Sequence, residues 1–171
     1  MSRVVLTTPE PEDEDEFLAA NHADVKFHRP FAYNPLTPEA YRAYLATLGD
    51  RKIGYFARRA EGELVGWINL GEIVRANFGN AYLGYCGFAA FAGQGYMTEA
   101  LTLVLREAFG PHKLHRIEAN IQPGNAPSIA LVKRLGFELE GMSPRYLKIG
   151  GRWRDHERWA IRAETWRGSR Q

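Results

Sequence analysis

The chain has 171 residues, 45% of them hydrophobic and 25% charged, with a net charge of +2. Such a length and balance describe a globular protein with room for a real core, and residues 1–171 are expected to form a single domain. The charge is too small to argue for a nucleic-acid partner: basic residues gather between Arg145 and Arg170, but Asp155, Glu157 and Glu164 interleave with them. No apolar stretch approaches a membrane span and the acidic N-terminal region lacks a signal-peptide pattern, so no membrane partner and a cytoplasmic location are the default expectation. Cys86 is the only cysteine; it lies in an apolar run, reads as a buried structural thiol, and excludes an internal disulfide.

In chain order, Val4 to Thr7 reads as a short strand, Pro9 to Glu14 as an acidic turn, and Asp13 to Asn21 as a helix. Phe27 to Pro35, aromatic and proline-containing, reads as a loop. Thr37 before Pro38 is an N-cap followed by proline at the first helical position, predicting a helix to about Leu48. Lys52 to Arg59 and Leu64 to Leu70 flank Ala60-Glu61-Gly62 as a hairpin, and Ala81 to Phe88 is a further strand. Leu101, Val104, Leu105 and Ala108 then recur at helical spacing until Gly110-Pro111. Leu114 to Ile121 alternates, with Ile117, Ala119 and Ile121 on one side and Glu118 and Asn120 on the other. Asn125 caps a helix with Pro127 in its first turn and Gly136 at its C-terminal end. Tyr146 to Ile149 and Arg152 to Ile161 are strands around Gly150-Gly151, and Arg152-Trp153-Arg154 reads as a solvated strand face. Strands and helices mixed in this order, with hairpins at both ends, predict an α/β protein whose sheet is of mixed direction.

The chemistry concentrates at Gly93-Gln94-Gly95-Tyr96-Met97-Thr98, between an apolar strand and an amphipathic helix. Two glycines there let backbone N–H groups converge at a helix N-terminus, where unpaired donors and the helix dipole favour a phosphate. A turn that merely reverses the chain would have the same composition. His112 and His115 have His-x-x-His spacing, but no carboxylate or cysteine accompanies them, so no metal is expected.

Together, that glycine turn, the later Asn125-Ala126-Pro127-Ser128, the Arg134-Leu135-Gly136-Phe137 and Glu140-Gly141 pairs, and Tyr146-Leu147 leading to Gly151-Arg152-Trp153-Arg154-Asp155-His156 resemble the GNAT acetyltransferase superfamily. The stretch from Tyr82 to about Trp159 is similar to the Rim-type branch, the ribosomal-protein N-terminal acetyltransferases. The resemblance implies a mostly antiparallel central sheet, splayed at the cofactor site and flanked by helices. It implies acetyl-CoA as co-substrate and an amine acceptor, preferably a protein N-terminus. A small-molecule amine is the alternative acceptor, and a non-catalytic acyl-CoA-binding module the rival of another class. Monomer and homodimer remain equally open.

By that resemblance, Gly93, Gln94, Gly95, Tyr96, Met97 and Thr98 take the pyrophosphate, while open backbone groups of Cys86, Gly87 and Phe88 and the side chain of Asn125 hold the pantetheine arm. A backbone N–H, such as that of Phe88, meets the thioester carbonyl. Ser128 is the expected partner of the leaving thiolate, the role a serine at the matching position has in Rim-type enzymes; many relatives instead place a tyrosine one turn later, which is Val132 here. Glu118 and Asn120 are expected beside the thioester, although Asn120 cannot act as a base. Arg145 replaces an acid that Rim-type enzymes often carry, and Glu72 could act only through water. The family's loop opens on Gln or Arg; here Ala92 stands there, which predicts weaker support of the loop, and Met97 replaces a small residue. The aromatic loop with Phe27, His28, Phe31 and Tyr33 is expected over the acceptor groove, with His156 ordering the last strand or the acceptor channel. Arg145, Lys148 and Arg152 would suit an acidic acceptor if they faced the site.

Overall fold

The computed structural model describes residues 2–168. Seven strands form one sheet: β1 (Val4–Thr7), β2 (Ile53–Arg59), β3 (Leu64–Val74), β4 (Asn80–Gly87), β5 (Arg116–Ile121), β6 (Glu138–Ile149) and β7 (Arg152–Arg162), in the spatial order β1-β2-β3-β4-β5-β7-β6. Every neighbouring pair is antiparallel except β4 and β5. This is the mixed, mostly antiparallel α/β sheet expected from the sequence.

Helices cover both faces because strand alternation sends neighbouring side chains to opposite sides, with one reset at the register shift between Ala57 and Arg58 that leaves Val65 unpaired in β3. Ala57, Val65 and Ile68 pack with the apolar stripe of α4 (Tyr96–Phe109), where Leu101, Val104, Leu105 and Ala108 are all buried, and with Val132 of α5 (Ala126–Leu135). Phe56, Leu64 and Trp67 turn the other way, toward Phe17 of α1 (Glu14–Ala23) and Tyr41 and Tyr44 of α3 (Pro38–Ala46). The caps are those the sequence predicts. Thr37 accepts from the Ala40 N–H at 3.2 Å. Gly136 is left-handed at φ 92°, and the Phe137 N–H returns to the Val132 carbonyl at 3.0 Å, a Schellman-type close.

Two expectations need correction. The stretch read as a loop from Phe27 begins inside a short helix, α2 (Val25–His28). Strand β6 starts at Glu138, not Tyr146; register shifts between Leu139 and Gly141 and between Ser143 and Leu147 break its alternation, and it is an edge strand with largely exposed side chains. Among the described residues no helix is long and apolar enough to cross a membrane.

Candidate active site

The site begins where pairing stops. Parallel β4 and β5 are joined only at Asn80–Arg116, Ala81–Ile117 and Tyr82–Glu118; beyond these both strands continue, to Gly87 and Ile121, without meeting. The gap opens into a cleft of about 1030 Å³ that reaches from the start of α4 to the early aromatic loop. The Phe88 N–H donates to the Val65 carbonyl at 2.9 Å. The antiparallel ladder therefore points the backbone groups of Cys86 toward β3, and leaves those of Leu83, Tyr85 and Gly87 facing the gap. This corrects the expectation for Cys86 and Phe88: both line the cleft, but the Phe88 N–H is taken and its carbonyl accepts from Phe91. The open edge belongs to Tyr85 and Gly87. Burial pushes the Cys86 thiol up to about 11, and it lies 3.4 Å from Asn34 Oδ1, consistent with an unreactive thiol.

At the other end, Gly93 and Gly95 adopt φ of 72° and 85°, and Gly95 caps α4 in a left-handed conformation. Among the described residues no acceptor sits on the N–H groups of Gly93 through Thr98; the first one paired is that of Glu99, to the Gly95 carbonyl at 3.1 Å. A row of free donors at the start of a 14-residue helix fits a diphosphate. Gly93, Gly95, Tyr96, Met97 and Thr98 line the cleft, whereas Gln94 does not: its amide turns back to the Ala90 carbonyl at 3.1 Å. Met97 fits because Gly66 and Gly87, paired across β3 and β4, leave room; a Cβ on either would lie 2.5 or 2.6 Å from its side chain.

The glycine turn is tied by Arg3, the residue before β1. Arg3 Nη2 donates to the Gln94 carbonyl at 3.2 Å, Nε binds Glu99 at 2.6 Å, and the guanidinium lies 4.7 Å over the Tyr96 ring. Sequence reasoning missed Arg3 because 88 residues separate it from Ala92, and only the folded sheet edge brings them together. Arg134 also reaches the cleft, 3.3 Å from Thr98 Oγ1.

Helix α5 brings Asn125 and Ser128 to the gap. The Asn125 side chain accepts from the Ser128 N–H at 3.4 Å, so the capping role is present, and both residues line the cleft. Ser128 Oγ lies 2.6 Å from Tyr85 Oη, a contact without any local sequence signal. Asn120 also lines the cleft, and its buried Oδ1 has no partner among the described residues.

Glu118 does not reach the cleft. It sits on the last paired step of β4 and β5, is 3% exposed, and accepts from Arg116 Nε at 2.9 Å and Arg158 Nη2 at 3.1 Å. The strand alternation that grouped it with Asn120 is real, but the gap opens only beyond it. Glu72 is exposed and bonded to Arg51 at 2.8 Å, away from the cleft. Arg145, Lys148 and Arg152 are likewise absent from the cleft wall, which β6 supplies through Leu147 and Ile149. His112 and His115 go separate ways, to Tyr55 Oη at 3.0 Å and to Glu164 at 2.9 Å.

The early loop closes the remaining side. Phe27, His28 and Phe31 line the cleft; burial lowers the His28 imidazole below its ordinary value despite Asp24 nearby. Tyr33 packs under the β6–β7 turn, where a Cβ at Gly150 would lie 2.4 Å from its ring. His156 faces the same space, with Nδ1 2.9 Å from the Arg154 carbonyl.

Free amides at a helix start, an unpaired strand edge and a hydroxyl at a second helix start meet along one cleft. Residues 3–138 match the model of the acetyltransferase (GNAT) domain, and the chain belongs to this family. It is 42% identical over 106 residues to the ribosomal protein uS5-alanine N-acetyltransferase of Escherichia coli, a match covering 62% of this chain and 55% of that relative, so the likeness spans about half of the relative's length. The structure superposes on Mycobacterium smegmatis RimJ in complex with CoA-disulfide with a TM-score of 0.87, at 29% identity over 94% of this chain and 82% of that one. The ribosomal-protein-S5-alanine acetyltransferase of Vibrio fischeri gives 0.86 at 22% identity, covering 98% and 97%, a likeness of fold.

Proposed function

We propose that the protein transfers an acetyl group from acetyl-CoA to a primary amine, with a protein N-terminal α-amine as the preferred acceptor. The reading of the co-substrate is supported by the free amides from Gly93 to Thr98 and the open edges of Tyr85 and Gly87, which fit a diphosphate and an amide-bearing arm. Acetyl-CoA supplies the activated acyl group. Gly87 or Tyr85 offers an N–H to the thioester oxygen, and Ser128 stands by the sulphur as it leaves.

What carries the choice of acceptor is the make-up of the wall. Among the described residues the only carboxylate lining the cleft is Glu99, at the glycine turn and bound to Arg3. The acceptor side is aromatic and amide: Phe27, Phe31, Asn34, Trp67 and Asn120. A polyamine or aminoglycoside finds no counter-charge there for its further ammonium groups. A cleft without a carboxylate base also favours an amine that is already partly neutral. An α-amine titrates near 8 and a lysine near 10.4, a gap of about 2.5 units or roughly 3.4 kcal/mol.

The test is thiol release from acetyl-CoA over a panel of peptides with free or blocked N-termini, polyamines, amino acids and aminoglycosides. Release with free-N-terminus peptides and not with their blocked forms is expected. Release confined to polyamines or lysine side chains would overturn the reading.

A further inference from the structure

Tyr85 enters the cleft from β4, and its phenol has one short contact, 2.6 Å to Ser128 Oγ. The phenol also donates to the Ser128 carbonyl at 3.3 Å, the longer of the two bonds that share its one proton. Among the described residues Ser128 Oγ has no other partner. If the phenol donates to Oγ, the serine's own O–H is left without an acceptor and is free to point into the cleft. The next turn of α5 brings Val132, fully buried, so helix α5 provides no phenol and the sheet does.

We infer that Tyr85 is a positioning residue for Ser128, aiming the serine proton at the leaving sulphur and replenishing it. This inference rests on the acetyl-transfer reading above. As the amine nitrogen bonds to the acyl carbon, the carbon–sulphur bond breaks and its electron pair goes to sulphur. Ser128 passes its proton to that sulphur, Tyr85 passes its own to Ser128, and the phenol regains one from solvent, which has received the proton lost by nitrogen. Amine and thioester thus become amide and thiol, with one proton moved in net from nitrogen to sulphur. Burial pushes the Tyr85 phenol up to about 12, so it is protonated and ready to donate at neutral pH.

The experiment combines Tyr85→Phe, Ser128→Ala and the double variant, each measured two ways. In steady-state turnover, Tyr85→Phe is expected to lower kcat about tenfold with KM for acetyl-CoA within about twofold, and to add nothing in the Ser128→Ala background. In the second measurement, bound CoA is titrated by its ultraviolet thiolate absorbance, which needs no acceptor. Both single variants are expected to shift that titration to higher pH by the same amount. Additive losses, a change in KM alone, or a thiolate titration unmoved by Tyr85→Phe would overturn the inference. If no amine is acetylated by the unsubstituted protein, the functional reading fails, and the thiolate titration still decides the Tyr85–Ser128 coupling.

Discussion

Replacing Glu118 with Gln separates a structural carboxylate from a catalytic one. The side chain is 4% exposed and serves two arginines, Arg116 at 18% and Arg158 at 39%. Gln keeps the volume but presents an NH₂ donor to one guanidinium, so a charge-assisted bond, worth about 1.5–3 kcal/mol, is replaced by a donor facing a donor. Arg116 retains Glu140 and Arg158 is partly solvated, which holds the cost below the 3–5 kcal/mol typical of breaking a fully buried pair. A loss of about 2.5 kcal/mol is expected, and for a chain of this length that lowers Tm by about 8 °C. Thermal unfolding and steady-state acetyl transfer at 25 °C would be measured on the same preparation. The expected result is a lower Tm with kcat/KM within about threefold, since no cleft atom changes. A hundredfold fall in kcat with Tm unmoved would refute the reasoning and return Glu118 to the chemistry.

Burial raises the phenols of Tyr55 and Tyr85 to about 12 and also raises those of Tyr41 and Tyr44. Groups whose folded value exceeds the unfolded one, near 10, contribute stability that is complete below about pH 10 and disappears as pH rises through about 12. The urea midpoint is therefore expected to hold to about pH 10 and then fall, and a midpoint flat to about pH 11.5 would contradict this. Gly66→Ala sets a Cβ 2.5 Å from Met97 Sδ and 2.7 Å from the Cys86 carbonyl oxygen. Met97 can swing away but the β4 backbone must shift, so a stability loss of about 1–3 kcal/mol and a raised KM for acetyl-CoA are expected; kinetics and a urea curve that match the parent would show the packing to be slack. Arg3→Ala removes the tie to the Gln94 carbonyl and is expected to weaken CoA binding about fivefold by calorimetry, the equivalent of one hydrogen bond. Unchanged affinity would mean that the loop holds without Arg3.

Much of the molecule is settled by local rules. Thr37-Pro38, Asn125 and Gly136 punctuate their helices because capping and left-handed conformations are properties of single residues and their nearest neighbours. The α4 stripe and the β5 alternation follow from periods of 3.6 and 2. The glycine turn is likewise readable, because free amides at a helix start depend on a few adjacent residues. Strand β6 was only half legible, since an edge strand with two register shifts has no buried face to impose alternation. What the tertiary structure alone decides is which groups face the cleft. Glu118 and Asn120 share one face of one strand, yet the parting of β4 and β5 falls between them, so one is held in an ion-pair network and the other lines the cleft. Arg3 reaches the glycine turn from a different sheet edge, and Tyr85 meets Ser128 across 43 residues of chain. Local patterns fix which residues share a face; only the pairing of distant strands sets where that face opens, because each such contact closes a long loop and leaves no periodic trace in the sequence.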